Sequence, residues 1–413
     1  MRKWLVLACF LRSAGPLSAT PLEVGTDRPF HSIREALEQA ENGDEVVVHS
    51  GVYQEYDLRI THSIRLRGVG NPVIDGQSRG TILSIQANDV HVSGFTIINV
   101  GRSFTQDFAG IMVTQSRDFN LQKNILKNVF FGIVVKKSKH GNIAFNEISG
   151  EAVEEASSGN GVHAWHCSKL SVHDNQITRT RDGVYLEFVN DSQIFKNQSS
   201  DCLRYGLHFM FSNRDQYHHN TFTNNGAGVA VMFSKQIRME HNTFQKNWGA
   251  SAYGLLLKEI YDAQIQENVF EQNTVGIHAE GATRIRYQGN QFLRNGWAVK
   301  IAGACYGNIF SGNDFSNNTF DLAYNGQLND NSFDGNYWSE YTGYDLDRDG
   351  TGDVSHRPVK LYSYVVNRSP ESIVLLRSLF VDIINFSEKV SPTFTPDGLL
   401  DHHPCMKAQK GHG

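Results

Sequence analysis

Residues 197–242 read NQSSDCLRYGLHFMFSNRDQYHHNTFTNNGAGVAVMFSKQIRMEHN and hold two copies of one pattern. Each copy opens on an asparagine followed by alternating apolar and polar residues, and each reaches a glycine before a second alternating run. The asparagine recurs at Asn124, Asn146, Asn175, Asn197, Asn220, Asn242, Asn268, Asn290 and Asn313, with gaps of 22, 29, 22, 23, 22, 26, 22 and 23 residues. Eight residues after most of them stands a glycine with an apolar neighbour, as in Gly132-Ile133, Gly183-Val184, Gly228-Val229 and Gly276-Ile277; after Asn197 the interval is nine. A period near 22 built from short strands and turns describes one coil of a parallel β-helix. Leucine-rich repeats share that length, but their leucine ladder is missing, and Val, Ile and Phe alternate with polar residues at period two. The expected fold is all-β, a parallel β-helix with rungs about 4.8 Å apart and a ladder of asparagine amides along the stack.

The alternation also assigns directions. The first and third residues after the glycine are apolar and fill the lumen: Val184/Leu186, Leu207/Phe209, Val229/Val231, Leu255/Leu257. The second and fourth then face outward: His163/Trp165, Tyr185/Glu187, His208/Met210, Ala230/Met232, Leu256/Lys258, His278/Glu280. Met210 and Met232 hold one position on adjacent rungs, so their side chains start about 4.8 Å apart. His208 is two residues from Met210, and His163 and His166 lie two rungs away. Thioethers with imidazoles select a soft ion, Cu(I) before other first-row metals. The candidate copper set is therefore His208, Met210, Met232, His163 and His166. Set against it is the plain alternative of a methionine packed under a loop and histidines that are merely solvated. Met239 aligns with inward positions and reads as core, while His173, His218, His219 and His241 read first as surface residues.

Three coils are over-long just before the outward strand: Gly94 to Gly110, Asn146 to Gly161, and Asn242 to Gly254. Loops there would wall one side of the face, the middle one bringing Glu151, Glu154 and Glu155 toward His163. Upstream, Ser32-Ile33-Arg34-Glu35 matches a capping box and opens a short helix over Ile33, Ala36, Leu37 and Ala40, placed to cover the exposed edge of the first rung.

The chain begins with Met1-Arg2-Lys3, an apolar run to Leu11 and a small-residue exit at Ala19, the pattern of a secretory signal over residues 1–19. Export to a bacterial periplasm follows as an expectation. Four cysteines remain after it, Cys167, Cys202, Cys305 and Cys405, and their spacing does not pair them. A net charge of -5 without a basic run argues against nucleic acid as a partner, and 40% hydrophobic composition supports one large elongated core.

The β-helix is expected over residues 20–340. After it, Asp345-Leu346-Asp347-Arg348-Asp349-Gly350-Thr351-Gly352-Asp353 matches the first half of a calcium loop, with Asp345, Asp347, Asp349 and Asp353 as oxygen donors and His356 where the bidentate Glu would stand. Residues 361–413 read as an apolar helix from Ser369 to about Phe386, either sealing the last rung or docking on a partner, followed by a flexible tail. That tail carries His402, His403, Cys405 and Met406, a second candidate copper point.

A carbohydrate-active enzyme is the rival from another class, since parallel β-helices cradle sugar chains. It needs paired acids, and the outward columns offer Glu187 and Glu280, four rungs apart. The runs Tyr205-Gly206-Leu207-His208-Phe209-Met210-Phe211-Ser212, Gly228-Val229-Ala230-Val231-Met232-Phe233-Ser234, Tyr253-Gly254-Leu255-Leu256-Leu257-Lys258 and Tyr344-Asp345-Leu346-Asp347-Arg348-Asp349-Gly350 resemble the NosD family. The resemblance implies a right-handed β-helix without catalytic turnover, held at the inner membrane through partners. Those partners would be an ABC-type membrane permease with its cytoplasmic ATPase, and a membrane-anchored copper chaperone that hands over its ion. The implied task is assembly of the copper-sulfur centre of nitrous-oxide reductase.

Overall fold

Each repeat makes three short strands separated by tight bends, and successive repeats stack strand on strand. The structure, a computed structural model, describes residues 21–249, 251–325, 330–390 and 399–408; the segment expected to be an export signal lies outside them. Three sheets of 14, 12 and 13 strands run along the coil, and every strand pairs in parallel with its equivalent one repeat away. This is the parallel β-helix that the 22-residue period predicts.

Side chains decide how tightly the rungs stack. Inside the lumen, Phe222, Phe244, Phe270, Phe292, Phe315 and Trp338 form a ladder with ring centroids 5.5, 4.5, 5.0, 4.8 and 4.1 Å apart. Each such pair adds about 0.5–1.5 kcal/mol beyond its burial. Beside it, every repeat asparagine donates its backbone N–H and its side-chain Nδ2 to the Oδ1 of the next one, at 2.9–3.2 Å, from Asn124 through Asn313 to Asn336. These amides are buried, so each must find such partners or forfeit its desolvation. The repeated glycine is dictated by close approach: a Cβ on Gly183 would sit 2.4 Å from the carbonyl oxygen of Gly206, and one on Gly228 2.4 Å from that of Gly254.

Both ends of the coil are closed. Helix α1 (Ile33–Gln39) starts where Ser32 Oγ accepts the Glu35 N–H at 3.2 Å, and it buries Ile33, Ala36 and Leu37 over the first rung. The far end departs from expectation. The segment expected to be flexible supplies the last partial rung, with Asp401 pairing with Phe333 and Cys405 with Tyr337 in parallel bridges. The buried Asp401 carboxylate takes the place of the next asparagine, accepting from Gly335 N (3.1 Å), Asn336 N (3.0 Å), Asn336 Nδ2 (2.9 Å) and Trp338 Nε1 (3.0 Å).

The apolar segment before it is also rearranged. It forms α2 (Leu361–Arg368), a 3-10 turn at Pro370–Leu375 and α3 (Leu379–Val390). The break falls at Pro370, which cannot donate within a helix. Tyr362, Val366 and Val381 pack on the outside of the 12-stranded sheet against Val275, Trp297, Phe320 and Ala323. The helices therefore cover the last strands of the outward face, while the end of the coil is sealed by the segment at Asp401. Among the described residues no helix is long and apolar enough to cross a membrane, and Cys167, Cys202, Cys305 and Cys405 are free thiols, the first three buried.

Candidate metal centre

The outward face of the 12-stranded sheet carries two straight columns set by the register. One runs His163, Tyr185, His208, Ala230, Leu256, His278; the other Trp165, Glu187, Met210, Met232, Lys258, Glu280. Met210 and Met232 are direct register partners, and both are half-buried. Each ends a strand whose lumen residues, Leu207/Phe209 and Val229/Val231, are buried, so the alternation leaves both thioethers on the exterior.

His208 is on that face yet only 2% exposed. The Tyr185 ring covers it edge-on at 4.9 Å, and Tyr205 at 4.8 Å. Its Nδ1 lies 3.7 Å from Oδ2 of the fully buried Asp182, and Arg181 Nε lies 3.9 Å from the same oxygen. Both imidazole nitrogens of His208, both Asp182 oxygens and Arg181 Nε find no hydrogen-bond partner among the described residues. Unsatisfied buried polar atoms are costly. A separation of 3.7 Å is too long for a hydrogen bond but fits two ligands of one ion, since metal–nitrogen and metal–oxygen bonds of about 2.0–2.2 Å at an open angle span that distance. From the preceding strand, the Tyr185 hydroxyl donates to Met210 Sδ at 3.7 Å.

The remaining candidates are placed differently. His163 is separated from His208 by the Tyr185 ring, 4.8 Å from it, and its Nδ1 meets Asn160 Nδ2 at 3.1 Å. Burial pushes the His163 imidazole down to about 4, against the pull of Asp107, so it is neutral near pH 7. His166 sits in the turn after the strand, where its exposed ring stacks on Phe188 at 4.6 Å and 8°. Phe188 continues onto Phe211 and Phe233 at 5.1 Å each, an exposed aromatic ladder flanking the methionines. Two of the over-long loops are pinned by ion pairs, Arg102 to Glu151 at 3.3 Å and Asp107 to Lys136 at 2.8 Å.

Sequence reasoning overlooked the residue just before the glycine, which puts Asp182 and Tyr205 beside His208. The signal was available: Asn160, Asp182, Tyr205 and Tyr253 interrupt a position that is apolar elsewhere, as at Ala109, Phe131, Ala227 and Val275.

The two other expected sites fare unequally. In the tail, His402 Nδ1 meets Ser355 Oγ at 3.3 Å, His403 Nδ1 pairs with Asp334 at 2.7 Å, and the Cys405 thiol donates to Gly335 O at 3.2 Å. These groups are turned to three different partners, and Met406 is half-buried next to them. In the acidic loop, carboxylate oxygens of Asp345, Asp347 and Asp349 lie within 4.8 Å of one another. The fourth expected donor, Asp353, accepts from Leu346 N at 2.7 Å, and His356 packs inward, 5.0 Å from the Trp338 ring.

Residues 145–343 match a family model described as "Periplasmic copper-binding protein (NosD)". That span contains the methionine pair, His208, Asp182 and the aromatic ladder. A "Probable ABC transporter binding protein NosD" of Stutzerimonas stutzeri is 28% identical over 405 aligned residues, spanning 87% of this chain and 86% of its own. The protein of the same name from Pseudomonas aeruginosa is 28% identical over 396, spanning 84% and 85%. Among solved structures, a family 28 exopolygalacturonase of Yersinia enterocolitica superposes with a TM-score of 0.61 over 76% of this chain and 79% of its own, at 10% identity. That likeness shows the coil alone. The family model spans just under half of the chain and both relatives carry the same family name, so over most of its length this chain is similar to the NosD proteins.

Proposed function

We propose that the chain is an accessory protein that receives Cu(I) on its His/Met face during maturation of nitrous-oxide reductase, working beside an ABC-type permease and its ATPase. The observation that carries the copper step is the register pairing of Met210 with Met232 next to the unsatisfied pair His208 and Asp182. Two thioethers and one imidazole make a soft donor set, and Asp182 lies beside it, its Oδ2 3.7 Å from His208 Nδ1. A membrane-anchored chaperone is the proposed source, and the half-buried sulfurs leave room for ligand exchange between two proteins.

Docking is assigned to α3. Its Val381 and Ile384 pack inward, while Leu379, Phe380, Ile383 and Phe386 are 74%, 56%, 54% and 69% exposed. An apolar face of that size marks an interaction site, and we place the permease there. Catalysis on sugar chains is disfavoured: Glu187 and Glu280 are four rungs apart by register, roughly 19 Å, against the 5–10 Å or so that glycoside hydrolysis requires.

The test is competition against a Cu(I) chelator. One equivalent should bind, and His208→Ala with Met210→Leu and Met232→Leu should weaken binding at least a hundredfold. Unchanged affinity in that variant would reject the site.

A further inference from the structure

The bend that follows each outward strand holds one residue per turn in the left-handed region, and on three successive rungs that residue is Phe188 (φ 53°), Phe211 (φ 50°) and Phe233 (φ 52°). Bulky side chains seldom adopt that backbone. Among the described residues, every other non-glycine residue with positive φ is polar or charged, apart from Phe145 at a different bend. The turn itself does not ask for aromatics, since Gln115, Lys137 and Glu259 make it at the same position on other rungs. Residues held against their backbone preference cluster where the side chain serves a contact.

The core does not use these rings, which are 37%, 37% and 42% exposed. They stack on one another with tilts of 9° and 13°, which leaves no gap for a base or a sugar between them. Solvent meets a row of ring edges, the positive side of the aromatic quadrupole. That edge suits an apolar surface bordered by carboxylates.

The ridge adjoins the copper face. Phe211 and Phe233 directly follow Met210 and Met232, and Phe188 N donates to Met210 O at 3.1 Å and Phe211 N to Met232 O at 3.2 Å. An ion passed by ligand exchange is held briefly by both proteins. With metal bonds of about 2.0–2.3 Å to nitrogen and sulfur, the donor's ligand must come within roughly 4–5 Å of a thioether. A protein seated on the ridge reaches that distance.

Charge at both ends selects the partner. Beside His166 a hollow of about 590 Å³ is lined by Arg117, Lys137 and Lys139 and by no carboxylate. Beside Phe233 one of about 700 Å³ is lined by Lys235, Lys258 and Tyr261, and its single acid, Glu259, accepts from the Tyr261 hydroxyl at 3.2 Å. Lys258 is shared with Glu280 at 3.4 Å. These are local concentrations of positive charge in a chain of net charge -5.

We infer that the ridge of Phe188, Phe211 and Phe233, with the basic hollows at its ends, is the docking surface for the protein that delivers Cu(I). Its partner presents an apolar patch beside its own metal ligands and acidic residues around that patch. The inference rests on the reading of Met210 and Met232 as copper ligands.

Phe188→Asn with Phe211→Asn and Phe233→Asn removes the ridge and keeps the bend, because asparagine tolerates the left-handed backbone. Stopped-flow transfer into the full chain is compared from two sources, the Cu(I)-loaded chaperone in detergent and Cu(I)–acetonitrile. The variant should accept the ion from the chaperone at least tenfold more slowly, at the parent's rate from acetonitrile, and with Cu(I) affinity within twofold of the parent. Salt raised from about 0.05 to about 0.5 M should slow the chaperone reaction alone, as electrostatic steering requires. Equal rates from the chaperone into parent and variant would overturn the surface and leave the copper site standing. So would a rate that falls equally from both sources, or a parent dimer that the variant dissolves in light scattering, which would assign the ridge to a second copy. A parent that binds no Cu(I) would remove the copper reading and this inference with it.

Discussion

Met210 and Met232 face each other as register partners on adjacent parallel strands, and the Tyr185 hydroxyl reaches the Met210 sulfur from the strand before. The tyrosine orients one thioether without occupying the other. We predict that Tyr185→Phe leaves stability within about 1 kcal/mol, since a bond to sulfur is weak, but lowers Cu(I) affinity three- to tenfold. Chelator competition with a thermal melt of the same sample separates the two effects. An affinity equal to that of the parent chain would show that Tyr185 only covers His208.

The asparagine ladder ends on the side chain of Asp401. Asp401→Ala would strand the donors of Gly335, Asn336 and Trp338 in the core, at a cost of about 3–5 kcal/mol. Asp401→Asn, whose amide oxygen still accepts as Asn313 and Asn336 do, should lose less than half as much. Urea unfolding of the two variants gives the comparison.

Acid should weaken the C-terminal end. Burial against Trp338, helped by the Lys360 charge, pushes His356 from the ordinary 6.5 down to about 4. Between those values the unfolded chain binds a proton that the folded chain refuses. The contribution is therefore complete above pH 6.5 and is lost as pH falls toward 4, by up to roughly 3 kcal/mol. His163 acts with the same sign. Replacing His356 by Gln should flatten the decline of urea-unfolding free energy across that window.

The exposed face of α3 makes a separate prediction. Phe380→Asp with Phe386→Asp should abolish co-purification with the permease while leaving Cu(I) affinity within twofold. Loss of both together would place the docking surface on the copper face instead.

Much of this was legible in the sequence because a β-helix repeats its environment. Each Asn and each Gly sees the same neighbours at every rung, so their recurrence fixed the register, and the register fixed the outward direction of Met210 and Met232. What escaped was non-repetitive. Asp182 and Tyr205 break the apolar character of their position, and their meeting at His208 depends on three-dimensional covering. Asp401 closes the coil from 65 residues beyond Asn336, a contact without any period.

The most direct test is copper K-edge X-ray absorption on the Cu(I)-loaded chain. The account predicts two sulfur scatterers with at least one nitrogen or oxygen, and loss of the sulfur shell when Met210 and Met232 are both changed to leucine. A shell of nitrogen and oxygen alone, or a sulfur shell that persists in the double variant, would contradict it.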